Sequence, residues 1–469
     1  MAAKNNDMEP PDAVSIAGMA MPRELALGAG RSLRDQLPRT NHAGWNAPAG
    51  RFDPVEVLID SGKNRDPALL PIRYGRMLQS PFSFYRGAAA IMAADLAGTP
   101  STGIMVQACG DCHLLNFGSY ATPERRLVFD INDFDETLPA PWEWDVKRLA
   151  TSFLIASIDK KMGLLMAKNI TRQCLNSYRQ HIIEYAAMDP LSVWYSSISL
   201  EDAMRNSKNE EAKKMVGRQI EKARTRSLTG EDFPKLTEMK DGIVKIKDNP
   251  PLIYHRTGID AKKYKALVEE VFANYVETLG DEKKTLLGHY SFHDIAVKVV
   301  GIGSVGTLCS VALWMSANNE PLFLQIKEAR SSVLEPYAGK SIYQNHGQRV
   351  VTGQKLMQAA SDVFLGWTSI SAGRQFYVRQ LRDMKIKPLV EVYDDKMMEG
   401  YARLCGRALA RAHARSGNAG LIGGYLGTSS KFDDAIVEFA YNYAAQNEKD
   451  HNALKNAVRD GVVEAYMER

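Results

Sequence analysis

The stretch ACGDCHLLNFG, residues 108–118, admits two readings that lead to different folds. Cys109 to His113 spells Cys-x-x-Cys-His, the spacing of covalent haem attachment. Asp111 to Asn116 spells Asp-x-x-x-x-Asn, the spacing by which a phosphoryl-transfer loop sets a base and a metal ligand around one phosphate. What surrounds the stretch decides between them.

Haem attachment of this kind is for most bacteria an event outside the cytoplasm. The segment MAAKNNDMEPPDAVSIAGMAMPREL, residues 1–25, has no basic start followed by an apolar core, so no signal peptide is expected. The five cysteines, Cys109, Cys112, Cys174, Cys309 and Cys405, are odd in number and scattered, which fits a reducing, cytoplasmic setting. No second ligand pair stands at zinc-site spacing. Cys109 and Cys112 therefore read as loop fillers, and the phosphoryl-transfer reading is the one to pursue.

The chain of 469 residues exceeds the usual size of a single core, so two or three packed units are expected. Hydrophobic residues at 45% and charged residues at 24% exclude disorder and a disulfide scaffold. A net charge of +4 over this length gives no basis for nucleic-acid binding. The longest uncharged run, residues 299–315, falls short of the ~20 apolar residues of a membrane span. Its glycines and β-branched residues favour two strands around a turn.

The pattern divides the chain into a loose N-terminal arm (1–70), a segment carrying the opening loop (71–195), an exposed helical excursion dense in charge (196–290), a strand-rich part (291–390) and a helical end (391–469). A helix is expected over 347–366 and a strand over 376–383.

Beyond the loop, FDINDFDE (129–136) sets Asp130, Asp133 and Asp135 beside apolar residues, where carboxylates are costly unless paired or metal-bound. Asp111 would orient an acceptor hydroxyl, while Asn116 and one of these acids hold Mg²⁺. The plain alternative is that Asp111 and Asn116 cap turns. Further on, GIGSVG (301–306) has strand-like residues on both sides, with Lys327 on the next strand. That suits a hairpin whose Gly301, Gly303, Ser304 and Gly306 amides cover nucleotide phosphates while the lysine neutralises them. A dinucleotide fingerprint would open a helix there instead. Arg73, Arg76 and Arg86, set among aromatics, either clamp a phosphate or pair with the acids. His413 and Arg415 are expected to close a helix C-terminus, with Gly417 as its stop.

GDCHLLNFG (110–118), LVFDINDFDE (127–136) and PWEWDVKRLA (141–150) together resemble the catalytic segment of the aminoglycoside and choline phosphotransferase branch of the protein-kinase-like superfamily. Nearly the whole chain is similar to a bacterial family, domain-of-unknown-function family two-two-five-two, through GDCHLLNFG, FDINDFDE, GIGSVGT (301–307), QIKEA (325–329) and LARAHARSG (409–417). The resemblance implies an α+β, two-lobed, protein-kinase-like fold with a helical extension, acting as an ATP- and Mg²⁺-dependent phosphotransferase on an unidentified acceptor. Phosphoryl and nucleotidyl transfer both remain open. Asp111 then corresponds to the catalytic Asp, with His113 as an orienting residue, and Asn116 to a metal ligand. Asp133 is preferred as the acidic metal ligand, with Asp130 second. Asp145, at a helix start, is expected to buttress the loop.

Two departures follow. The glycine loop and lysine come after the catalytic loop, so the fold must be circularly permuted, unless the helix AAAIMAADLA before the loop takes the part of LARAHARSG. No glutamate stands on the helix expected to face Lys327, leaving Glu328, Glu335 and Asp362 as its candidate partners. This second departure keeps open the alternative of a nucleotide-binding pseudokinase serving as a regulatory module.

Overall fold

The computed structural model describes residues 20–205, 209–229, 236–240, 242–299, 301–381 and 384–467. It is a mixed α+β structure with one larger sheet and three two-stranded ones.

The larger sheet joins β7 (Ile253–Tyr254), β8 (Tyr290–Lys298), β9 (Cys309–Ser316), β10 (Pro321–Ala329), β11 (Gly366–Ser369) and β12 (Gln375–Gln380). Its spatial order is β11-β12-β10-β9-β8-β7, with every pairing antiparallel. The uncharged run thus becomes β9 and the turn before it. β9 is apolar almost throughout because both faces of the sheet are covered. On one face Leu322, Leu324, Ile326 and Val297 pack against a helix, Ile259–Glu277. On the other, Val311, Leu313 and Met315 pack against Ile246 of a hairpin, β5 (Thr237–Lys240) and β6 (Ile243–Ile246). The stretch expected to be a helical excursion therefore carries a hairpin between its helices, because its apolar residues find a sheet to cover.

The helical part is organised by α1 (Trp142–Asp159), buried over nearly its whole length as expected of a helix surrounded by others. Around it lie α2 (Leu164–Ala187), α3 (His346–Met357), α4 (Asp395–Ser416) and α5 (Lys431–Arg459). They share one core with the short strands β1 (Met105–Ala108), β2 (Phe117–Ala121), β3 (Leu127–Ile131) and β4 (Leu138–Pro141). Pairing of β2 with β3 and of β1 with β4 holds the opening loop beside the acidic string.

The arm expected to be loose is built into this core. Its helix Arg23–Gln36 lies on the helix Ala419–Leu426, where Gly30 meets the Leu421 backbone so closely that a Cβ has no room. Arg51 bonds both Asp95 and Asp450. Residues 1–19 lie outside the described part. The helix expected over 347–366 stops at Met357: Gln358 still donates its backbone amide to the Gln354 carbonyl oxygen, but its own backbone is extended, and its side-chain nitrogen donates to the Ile131 carbonyl oxygen at 2.6 Å.

Candidate active site

The first turns of α1 send four charged side chains into the loops before it. Glu143 accepts from the Thr102 amide (2.8 Å), and Lys147 donates to Thr99 (2.8 Å). Asp145 accepts from the backbone amides of Cys109 (2.7 Å) and Gly110 (3.0 Å), so it fixes the start of the loop. Arg148 pairs with the carboxylate of Asp111, its Nε at 2.8 Å. Arg148 is itself buried, held by the Tyr85 carbonyl oxygen (3.1 Å) and the face of the Tyr85 ring. Sequence reasoning passed over Arg148; its place one turn after Asp145, on the same helix, was the available signal.

Within the loop, the side-chain nitrogen of Asn116 donates to the Asp111 backbone carbonyl oxygen at 2.7 Å. Its oxygen, the atom a hard cation prefers, is the one left over. His113 Nε2 lies 3.9 Å from the Asp111 carboxylate, and burial pushes the imidazole down to about 3, so it is neutral. Gly110 adopts φ +81°, and a Cβ there would stand 2.3 Å from the Glu136 carbonyl oxygen. This contact of backbone on backbone brings the loop against the acidic turn.

The acids of that turn part company. Asp130 is fully buried and bonds Arg411 of α4 through both oxygens, at 2.7 and 2.6 Å, while also accepting from the Ala359 amide at 2.9 Å. It is committed to the core and is dropped as second metal ligand. Asp133 and Asp135 remain within reach of water. Asp135 accepts from Lys327 (2.7 Å), from the Tyr377 hydroxyl (2.6 Å) and from Ser304 (3.3 Å). Burial alone would push its carboxyl above the ordinary range, but Lys327 and then Tyr377 draw it below that range. Asp133 moves the other way: burial first, and the charge of Asp135 next, raise it. Its carboxylate has no ion pair among the described residues, and Lys327 and Arg379 only partly offset the cost of its charge.

The glycine-rich loop and Lys327 thus meet the acidic string directly. The partner of Lys327 is Asp135, and the three candidates lie elsewhere. Glu328 bonds Arg374, Arg330 and the Leu308 amide. Glu335 lies 3.7 Å from His346, and Asp362 accepts from the amides of Phe364 and Gln380. The helix α3 faces the turn with an arginine, Arg349, which grips the carbonyl oxygens of Asp135 (2.9 Å) and Thr137 (2.5 Å). Gly301 turns its carbonyl oxygen to Arg76 of the helix Leu70–Leu78, and Gly303 and Val305 turn theirs to Arg65 of the arm, leaving Ser304 toward Asp135.

Arg73 bonds backbone carbonyls of Leu58 and Gly87, and Arg86 makes no hydrogen bond among the described residues although Asp111 is in its field. His413 is no helix cap. It is buried beside Asp145 (3.3 Å) and Tyr178 (2.8 Å), one turn before the helix ends, and so orients the residue that fixes the loop. Cys109 and Cys112 are buried free thiols, held up by burial, and with Asp145 they form a group of metal-ligand spacing. Asp145 is already saturated by backbone amides there.

The molecule is thus a mixed α+β protein in which a loop bearing Asp111 and Asn116, a turn bearing Asp133 and Asp135, and a sheet lysine converge on one place. The chain belongs to the family of uncharacterised proteins conserved in bacteria, DUF2252, whose model matches residues 65–457. No curated protein and no solved structure matches it. Among the described residues no helix is long and apolar enough to cross a membrane.

Proposed function

We propose that this protein is a circularly permuted kinase-like phosphotransferase that uses ATP and Mg²⁺. The observation that carries the reading is the meeting of Lys327 and Ser304 with Asp135, beside a second carboxylate, Asp133, that makes no ion pair among the described residues. Strand order supports it. A glycine-rich turn joins the first two strands of a β8-β9-β10 meander, the lysine lies on the third, and a helix intervenes before the remaining pair.

In this reading Asp133 and the Asn116 oxygen would hold Mg²⁺, which supplies charge neutralisation for the nucleotide phosphates, and Lys327 is placed to exchange Asp135 for a phosphate. Asp111, oriented by Arg148 and by the Asn116 bond to its backbone, receives or positions the acceptor hydroxyl.

The test is ATP consumption and Mg²⁺-dependent nucleotide binding by the whole chain. Asp133→Asn is expected to lower turnover by about 100-fold or more while keeping the fold, since it removes charge stabilisation in the transition state. Asp111→Ala is expected to abolish turnover but keep nucleotide binding. Unchanged turnover in both variants would overturn the assignment. Saturable nucleotide binding with no turnover by the unaltered protein would favour the pseudokinase reading, which the missing helix glutamate supports.

A further inference from the structure

A cavity of about 210 Å³ lies beside the glycine-rich loop, lined by Arg65, Asp66, Arg256, Gly306, Thr307 and Arg374 among others. It is not the place where Lys327 meets Asp135. Val297 lines it and belongs to the sheet face that carries Leu324 and Ile326 under the helix Ile259–Glu277. Side chains alternate along a strand, so Lys327 points from the opposite face. The sheet itself separates the two.

Its guanidinium groups come from three separate parts of the chain and are under-neutralised. Arg65 spends its bonds on carbonyl oxygens of Ser61, Gly303 and Val305, with no carboxylate in its bonding range. Burial, then Arg73 and Arg330, push it down to about 9. Arg256 has its nearest carboxylate, Asp66, at 3.9 Å, and its Nε is buried without a partner. Arg374 shares Glu328 with Arg330. Three guanidinium groups therefore line the space with one carboxylate, Asp66, among them, and the one carboxylate that Arg374 bonds, Glu328, is shared with Arg330. Cations assembled in this way repel one another unless an anion enters, and donors arriving from several directions suit a tetrahedral group better than a planar carboxylate.

We propose that this cavity binds a phosphate group, as the free ion or as a monoester, and that its occupancy stiffens the glycine-rich loop. The coupling is direct: Arg65 holds the carbonyl oxygens of Gly303 and Val305, and the Asp66 amide donates to the Gly306 carbonyl oxygen at 2.7 Å. An anion that fixes Arg65 and its neighbours fixes the loop that covers the acidic turn.

The test titrates the full chain with inorganic phosphate, and in a second arm with glycerol phosphate, against chloride at matched ionic strength. Calorimetry and thermal unfolding give the affinity, and amide exchange follows residues 301–307. The expected result is saturable stabilisation by phosphate with slowed exchange in the loop. Arg256→Gln weakens it about tenfold, the loss of one charge-assisted bond; this side chain is partly exposed, and the variant's own unfolding curve shows that it folds. Binding of both ligands assigns the site to monoesters, and binding of free phosphate alone assigns it to the ion. Absence of saturable binding, or an Arg256→Gln affinity equal to the original, would each overturn the site. None of these outcomes depends on ATP turnover, so the two proposals fail separately.

Discussion

Asp130 and Asp135 stand five residues apart in one string, and each meets a cation from a distant part of the chain. The Asp130–Arg411 pair is shut off from water, at 0% exposure on both sides. In the Asp135–Lys327 pair the lysine is 4% exposed and the aspartate 27%. A pair without water access can only hold the fold, because no ligand reaches it and separation of its charges is prohibitive. A pair at the edge of water can exchange one partner for a phosphate or a metal ion. The difference between a structural and a chemical carboxylate here is access, since both bond lengths are similar.

The sharpest way to break that comparison is to delete the cations. Arg411→Met leaves Asp130 charged and unpaired in the core, and is expected to cost about 3–5 kcal/mol of stability. Denaturant unfolding measures it. Since Nε and Nη1 of Arg411 are buried without partners, adding Asp130→Asn should recover most of the loss, as an apolar replacement also relieves the burial of those donors. Lys327→Met is expected to cost less than Arg411→Met, because water reaches Asp135. Equal losses at the two sites would erase the distinction.

Between these extremes lies Glu136, the last acid of the string. Burial pushes its carboxyl up to about 7, against which the Val333 amide and Arg349 act only partly. The native state therefore holds a proton that the unfolded chain releases near 4.5. Stability is then lost as pH rises from about 4.5 to about 7, by at most about 3 kcal/mol, and is level above that. Glu136→Gln is expected to flatten this slope, read from unfolding free energies at pH 5 and pH 8. A slope of the opposite sign would mean that the residue is ionised and paired in the native state.

Much of this arrangement was legible in the chain. Asp111, Asn116 and the acidic string announce themselves by spacing, and the glycine turn by the strands that flank it. Asp145 was legible too, as an acid at a helix start. What spacing does not carry is partner choice across the fold. Lys327 and Asp135 are 192 residues apart, and nothing local to QIKEA distinguishes Asp135 from Glu328, which points from the other face of the same strand. Arg148, Arg411 and His413 were misread or missed for one reason. A charged residue on a helix reads as a solvated face or a cap until tertiary packing buries it, and α1 is buried nearly all round, as is α4 from Ala408 to His413. The arm was misjudged because its contacts, such as Arg51 with Asp450, close only in three dimensions.

The smallest effect should come from Ser304. Its hydroxyl reaches Asp135 at 3.3 Å, a long bond beside those of Lys327 at 2.7 Å and Tyr377 at 2.6 Å. Asp135 keeps two strong donors without it, so Ser304→Ala is expected to change stability by less than about 1 kcal/mol. If the glycine-rich loop is instead pinned mainly by this hydroxyl, the variant will show faster amide exchange across residues 301–307. Unchanged exchange would place the restraint with Arg65 and Arg76, which bond the Gly301, Gly303 and Val305 carbonyl oxygens from the end of the arm and the helix after it. The comparison then extends from two carboxylates to two ways of holding a loop, one from the acidic turn beneath it and one from the helices beside it.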